Sequence, residues 1–149
     1  MQSVSVKHNV EMAHRLQLPG KCQNIHGHTW QVTFEIHDDP NRETGIIVDF
    51  HQMKRVFREY LDNKYDHKLC MWIGDPWLGQ LRDASKRPDG IELYPPGLLV
   101  MDEDPTTENF ARWIGRDMRL LTWEWPHGPN RLLRITVEEG LHNGASWEG

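Results

Sequence analysis

Two stretches of strict alternation constrain this chain more than any other feature. From Val4 to His14 the even positions read Val4, Val6, His8, Val10, Met12 and His14, while the odd ones read Ser5, Lys7, Asn9, Glu11 and Ala13. A period of two places successive side chains on opposite faces, so the segment predicts a strand with one apolar face. The pattern returns from His26 to Ile36, with His26, His28, Trp30, Val32, Phe34 and Ile36 on one side and Gly27, Thr29, Gln31, Thr33 and Glu35 on the other. Between them, Arg15 to Ile25 contains Pro19 and Gly20, which predicts an antiparallel hairpin with a long loop.

Helical spacing follows. Asp49, with Gln52 three residues on, reads as a capping box, and Phe50, Met53, Val56, Phe57, Tyr60 and Leu61 form one apolar stripe. From about Cys70 to Gly97 the chain is rich in Gly, Pro, Asp and Trp without a sustained period and reads as an irregular excursion; Leu98 to Met101 is a candidate short strand. A second helix is predicted from Asp104 or Thr106, after the Pro105 signal, to about Leu121, burying Phe110, Trp113, Ile114, Met118 and Leu121. Alternation resumes with Leu133, Ile135, Val137 and Glu139 on one face, and Gly140 and Gly144 bracket a turn into a last strand at Ala145 to Glu148. The fold class is therefore α+β: a four-stranded antiparallel sheet with two helices on one face.

The bulk properties narrow the partners. At 149 residues the chain is the size of one domain, 1–149. A net charge of −5, spread without blocks of like sign, gives no basic surface for nucleic acid. No stretch approaches a membrane span, and the alternating N-terminus lacks the apolar run of a signal peptide. Two cysteines, Cys22 and Cys70, make no disulfide framework, so the expected setting is the reducing cytoplasm.

Nine histidines are more than an ordinary domain of this length carries. His26 and His28 project from one strand face about 7 Å apart at the backbone, and His14 lies at the loop-proximal end of the partner strand on its apolar face. A single buried His is usually a hydrogen-bonded core residue. Three meeting in one apolar patch repel on protonation and are costly to bury, which favours a metal; three His with one open position is the ligand set of a catalytic zinc. His8 shares the face but stands about 20 Å along the strand from His14, too far to join the same ion. A cupin motif is suggested by Gly20 and His26-Gly27-His28, yet the Glu it needs after the second His is absent: Val32 and Thr33 stand there, and Glu35 points the other way.

Met12-Ala13-His14, Lys21-Cys22-Gln23-Asn24-Ile25-His26-Gly27-His28 and Gly45-Ile46-Ile47-Val48-Asp49-Phe50 together resemble the family of 6-pyruvoyltetrahydropterin and 6-carboxytetrahydropterin synthases. The likeness continues at Asp66-His67-Lys68, Pro105-Thr106-Thr107-Glu108-Asn109 and Val137-Glu138-Glu139, in family order. The resemblance implies the tunnelling fold (T-fold), in which subunits join into a barrel, and a homo-hexamer built as a dimer of trimers with the site at a subunit boundary. It implies zinc (Zn2+) on His14, His26 and His28, holding the hydroxylated tail of 7,8-dihydroneopterin triphosphate.

The family's proton-abstracting cysteine falls on Cys22, whose place in Cys-x-x-x-His-Gly-His distinguishes it from an incidental loop thiol. Asp66 and His67 match the proton-exchanging pair, which without the motif would read as a surface helix end. Glu139 matches the carboxylate that anchors the pterin and joins that relay; its place on the apolar parity of its strand agrees, because a buried carboxylate without a partner is costly. Thr106, Thr107 and Glu108 resemble the segment lining the pterin pocket, although Pro-Thr-Thr-Glu is also simply a good helix start. The chain departs from the pattern where Cys70-Met71 replaces a frequent Leu-Asn pair, and in the excursion, which puts side-chain specificity in question; Cys70 reads as a packing thiol. The short Cys-to-His spacing and compact ends are similar to the bacterial branch, which forms 6-carboxytetrahydropterin, acetaldehyde and triphosphate for 7-deazaguanine (queuosine-type) synthesis. The alternatives are the pyruvoyl product or a non-catalytic zinc-bound scaffold.

Overall fold

A computed structural model describes residues 1–84, 97–126 and 128–149. Its spine is a hairpin of two long strands, β1 (Gln2–His14) and β2 (His26–Asp38), paired antiparallel without a slip from Gln2↔Asp38 to His14↔His26. On the outer side of β2 lies β5 (Leu132–Glu139), and on that β6 (Asn143–Glu148), both antiparallel. These four strands are the ones their alternation predicts, the last beginning two residues earlier than expected.

Among the described residues the sheet nevertheless has six strands, not four. Two short strands, β3 (Leu69–Trp72) and β4 (Leu98–Met101), pair in parallel along the free side of β1 through Ala13↔Leu69 and His14↔Cys70. The start of the excursion is thus ordered. It supplies β3, a turn, and a helix, α2 (Leu78–Ala84), so the described chain carries three α-helices rather than two. The remainder of the excursion, residues 85–96, lies outside the described residues.

The two longer helices cover the even-numbered face of the hairpin. α1 (Phe50–Lys64) starts where Asp49 accepts the His51 backbone N–H at 2.8 Å, and it buries Met53, Phe57 and Leu61 against β1. α3 (Thr107–Leu121) is capped by Thr106, which accepts the Asn109 N–H, and packs Phe110, Ala111, Ile114 and Met118 against β5 and β6. A glycine in mid-helix weakens a helix by about 1 kcal/mol relative to alanine, yet Gly115 has a packing reason: a Cβ there would lie 2.0 Å from the Trp147 indole of β6. Phe50 and Leu121, expected on the buried stripes, are about half exposed because they sit at the helix ends. The core between sheet and helices is continuous, from Val6 and Val10 through Trp30, Val32 and Phe34 to Ile135 and Val137. No helix is long and apolar enough to cross a membrane among the described residues.

Candidate metal centre and active site

The hairpin's register delivers its histidines to one place. His14 ends β1 directly opposite His26, which begins β2, while His28 faces Met12 one step inward. Ring centroids lie 4.5 Å apart for His14 and His26, 5.0 Å for His26 and His28, and 5.4 Å for His14 and His28. β5 adds a fourth group, since Glu139 ends that strand opposite Trp30, on the parity of Leu133, Ile135 and Val137. One ligand atom from each of His14, His26, His28 and Glu139 lies within 4.8 Å of all the others, so these four could hold a metal ion.

The hydrogen bonds around the rings decide which atoms face inward. His14 Nδ1 lies 2.8 Å from the Pro105 carbonyl and His26 Nδ1 lies 2.7 Å from the Asn24 carbonyl. A carbonyl only accepts, so both Nδ1 atoms carry the proton and both neutral rings present an Nε2 lone pair. Those two Nε2 atoms stand 3.1 Å apart. Two lone pairs at that distance repel, and burial lowers the pKa of His14, opposing the proton that could bridge them. A cation between them removes the conflict; two nitrogens on one tetrahedral zinc would stand about 3.3 Å apart. His28 repeats the signature. Its Nε2 is 2.6 Å from Glu139 Oε1, but without the angle of a hydrogen bond, so this buried nitrogen has no hydrogen-bond partner. The donor set therefore fits a divalent ion of zinc's preference. The other oxygen of Glu139 accepts the Thr107 hydroxyl at 3.0 Å, which fixes the carboxylate against the cluster.

Asp66 and His67 form a pair at the start of β3. His67 adopts a left-handed backbone (φ 56°), an uncommon conformation for a residue with a side chain, and hydrogen bonds to the edge of β1 hold it there. The His67 N–H donates to the Glu11 carbonyl at 2.7 Å, while Asp66 Oδ1 accepts the Glu11 N–H at 2.9 Å. That second bond, then the His67 ring, keeps the Asp66 carboxyl below the ordinary carboxylate range against an opposing desolvation. His67 Nδ1 donates to Asp66 Oδ2 at 2.6 Å, leaving Nε2 on a ring that is 79% exposed. An open cleft of about 700 Å3 is lined by Glu11, Gly27, His28 and Thr29 of the hairpin, by His67 and, from α2, by Leu81. His28 and His67 thus border one space.

The other expected residues divide. Cys22 sits in the 3-10 turn Lys21–Gln23 between the strands, partly exposed, and stands outside the four-residue ligand group. Thr107 touches the site through Glu139; Thr106 spends its hydroxyl on the helix cap, and Glu108 is exposed in the first turn of α3. The carbonyls of Asn24 and Pro105 escape sequence reading altogether, because a backbone acceptor leaves no residue signature.

Comparison with known proteins bears on the family and the fold. The profile described as 6-pyruvoyl tetrahydropterin synthase matches residues 3–149. A protein of Rickettsia bellii named 6-carboxy-5,6,7,8-tetrahydropterin synthase is 31% identical over 91 residues, 61% of this chain, and the chain spans only 60% of that relative's length. Among solved structures, an uncharacterized protein from Wolinella succinogenes superposes with a TM-score of 0.77 at 18% identity, covering 98% of this chain and 97% of that one. The 6-pyruvoyl tetrahydropterin synthase of Plasmodium falciparum does so with a TM-score of 0.73, also at 18% identity, over 99% and 97%. At that identity the structural likeness is one of fold, whereas the profile covers nearly the whole sequence: the chain belongs to the 6-pyruvoyl tetrahydropterin synthase family.

Proposed function

We propose that this protein is a zinc-dependent 6-carboxytetrahydropterin synthase, acting on 7,8-dihydroneopterin triphosphate in 7-deazaguanine (queuosine-type) synthesis, in the cytoplasm and as a homo-hexamer of two trimers. The observation that carries the reading is the inward-facing set of His14, His26 and His28, whose Nε2 atoms oppose one another or, at His28, lack a hydrogen-bond partner. The names of curated relatives such as the Rickettsia bellii protein support the carboxy product over the pyruvoyl one.

In this reading His14, His26 and His28 hold the ion. Zinc, when bound, supplies the Lewis acidity that acidifies the hydroxyls of the substrate's tail. Glu139, braced by the Thr107 hydroxyl, accepts hydrogen bonds from the pterin amino and ring N–H groups, which orients the tail toward the imidazoles. Cys22 takes a proton from a side-chain carbon in the loop beside the ligands. His67, its Nδ1–H committed to Asp66, exchanges a proton through Nε2 at the cleft, and Asp66 stays ionised to stabilise the imidazolium while the proton resides there. Thr106 at the cap of α3, Thr107 and the exposed Glu108 of its first turn line the pterin pocket in this reading.

Two measurements test this. Zinc-loaded protein incubated with 7,8-dihydroneopterin triphosphate is expected to release acetaldehyde and triphosphate. Triphosphate release without acetaldehyde overturns the product and points to the pyruvoyl activity. Cys22→Ala is expected to retain zinc and to lose a factor of about 10²–10⁴ in turnover, whereas unchanged behaviour in every respect would indicate a zinc-bound scaffold.

A further inference from the structure

The chain leaving the metal cluster is tied down with unusual thoroughness. Immediately after His14, the buried Arg15 guanidinium donates to Asp75 at 2.6 Å and lies 4.2 Å over the Trp77 ring. The same Asp75 oxygen accepts the Gln17 side-chain amide at 2.8 Å, and the other oxygen caps the turn at the Trp77 N–H. The Gln17 backbone N–H, in turn, donates to both oxygens of Asp104 at 3.1 and 3.3 Å. Asp104 immediately precedes Pro105, whose carbonyl sets the tautomer of His14. The Asp104 carbonyl also accepts the Asn109 side-chain amide and the Thr106 N–H, both at 2.8 Å, which fastens it to the start of α3.

The Asp104 carboxylate therefore bridges two segments that both act on one imidazole: the strand end that carries His14 and the turn whose carbonyl orients its ring. Without that bridge the sheet still holds the His14 backbone opposite His26 and beside Cys70, but the turn that carries the Pro105 carbonyl loses its tie to the chain leaving β1, and with it the fixed placement of the acceptor that orients the ring. A ligand's orienting partners matter to the metal because a misplaced ring must be pulled into position at the expense of binding. We infer that Asp104, reinforced by the Arg15–Asp75–Gln17 cluster, is a positioning residue for the metal ligand His14, so that the excursion's first turn serves the metal centre rather than merely decorating the sheet edge. This inference rests on the zinc reading above.

The test compares zinc affinity, by chelator competition, and the visible spectrum of the cobalt-substituted protein across Asp104→Ala, Asp104→Asn and wild type. Asp104→Ala is expected to weaken zinc about 10–100-fold and to alter the cobalt d–d bands, while Asp104→Asn, which keeps an acceptor for the Gln17 N–H, stays within about threefold of wild type. Wild-type affinity and spectrum in Asp104→Ala, or equal losses in both variants, overturn the inference. Asp117→Asn, which disturbs the Tyr60 and Lys64 contacts between α1 and α3 instead, should leave zinc affinity unmoved; a comparable loss there means general destabilisation and also overturns it. If Asp104→Ala does not fold, Gln17→Ala replaces it: it frees the strand end from Asp75 while keeping the backbone donor. A weakening of about threefold to tenfold is then expected, and none overturns the inference. Wild-type protein that takes up no zinc defeats the metal reading itself, an outcome separate from a metal that binds regardless of Asp104.

Discussion

The two ends of the β1–β2 hairpin share one face, one register and one alternation, yet they are stabilised by opposite means. Toward the far end Val6, Val10, Val32 and Phe34 meet the apolar stripes of α1 and α3, and every atom turned inward is content to be dry. Toward the loop end the same parity carries His14, His26 and His28, with lone pairs that oppose one another or lack a hydrogen-bond partner. Trp30 divides the regimes: its ring meets His14, His28 and Phe110 edge-on, and its N–H is spent on the Met12 carbonyl. The difference teaches that alternation reports where a side chain points, whereas the atoms at its tip decide whether the position belongs to the core or to a ligand.

A paired substitution is the strongest way to break that contrast. Phe34→Ala removes a fully buried ring and is expected to cost about 3–5 kcal/mol of stability, read from denaturant midpoints, while leaving zinc stoichiometry intact in the fraction that folds. His26→Ala should do the reverse. Zinc content and turnover fall to background, but the metal-free protein changes by no more than about 1 kcal/mol, since a partly exposed ring is lost together with the lone-pair conflict against His14. Equal destabilisation by both would show that the imidazoles are ordinary core members.

This contrast also explains how far the sequence could be read. The long antiparallel strands and the common face of His14, His26, His28 and Glu139 follow from a local period, which a single chain displays openly. Nothing similar announces β3: four residues are too few to show a period, and its parallel pairing with Ala13 and His14 depends on a partner more than fifty residues away in sequence. α2 is hidden for a related reason, since its start relies on Asp75 rather than on a stripe of its own. In the Pro-Thr-Thr-Glu segment the helix-start reading accounts for the Thr106 cap, while the contact of Thr107 with Glu139 is a tertiary one that the helix-start pattern does not announce. Which carbonyls orient the ligand rings is decided by tertiary approach, so Asn24 and Pro105 carried no legible sign.

Acidity should sharpen the comparison by a smaller amount. Desolvation, chiefly, lowers His14 in the folded state, with the Pro105 carbonyl acting against it and the His26 and His28 rings with it. Unfolded, the ring titrates near about 6.5. Between that value and the lowered folded one the unfolded chain holds more protons, so the contribution is fully present above the unfolded value and is lost as pH falls through the window. Metal-free protein should accordingly lose stability on acidification from near neutrality, and His14→Asn, whose side-chain amide can still donate to Pro105, should flatten part of that slope. Denaturant midpoints measured across this range decide it: equal slopes in both proteins would mean that His14 carries no such penalty.

The boundary between the regimes can also be probed at atomic resolution, because Cys70 pairs directly with His14 across the β1–β3 ladder. Despite that position it belongs to the apolar side. Its residue is fully buried, its Sγ lies 3.9 Å from the Met12 sulfur, and burial pushes the thiol up to about 12. The thiolate is the reactive species, so Cys70 should resist alkylation at neutral pH until the chain unfolds, whereas the partly exposed Cys22 should be modified in the native protein. Mass analysis after brief labelling is expected to show one adduct, on the Cys22 peptide, rising to two in denaturant. Native labelling of Cys70 would place the dividing line one strand further out, with the histidine end opening into β3 rather than stopping at β1.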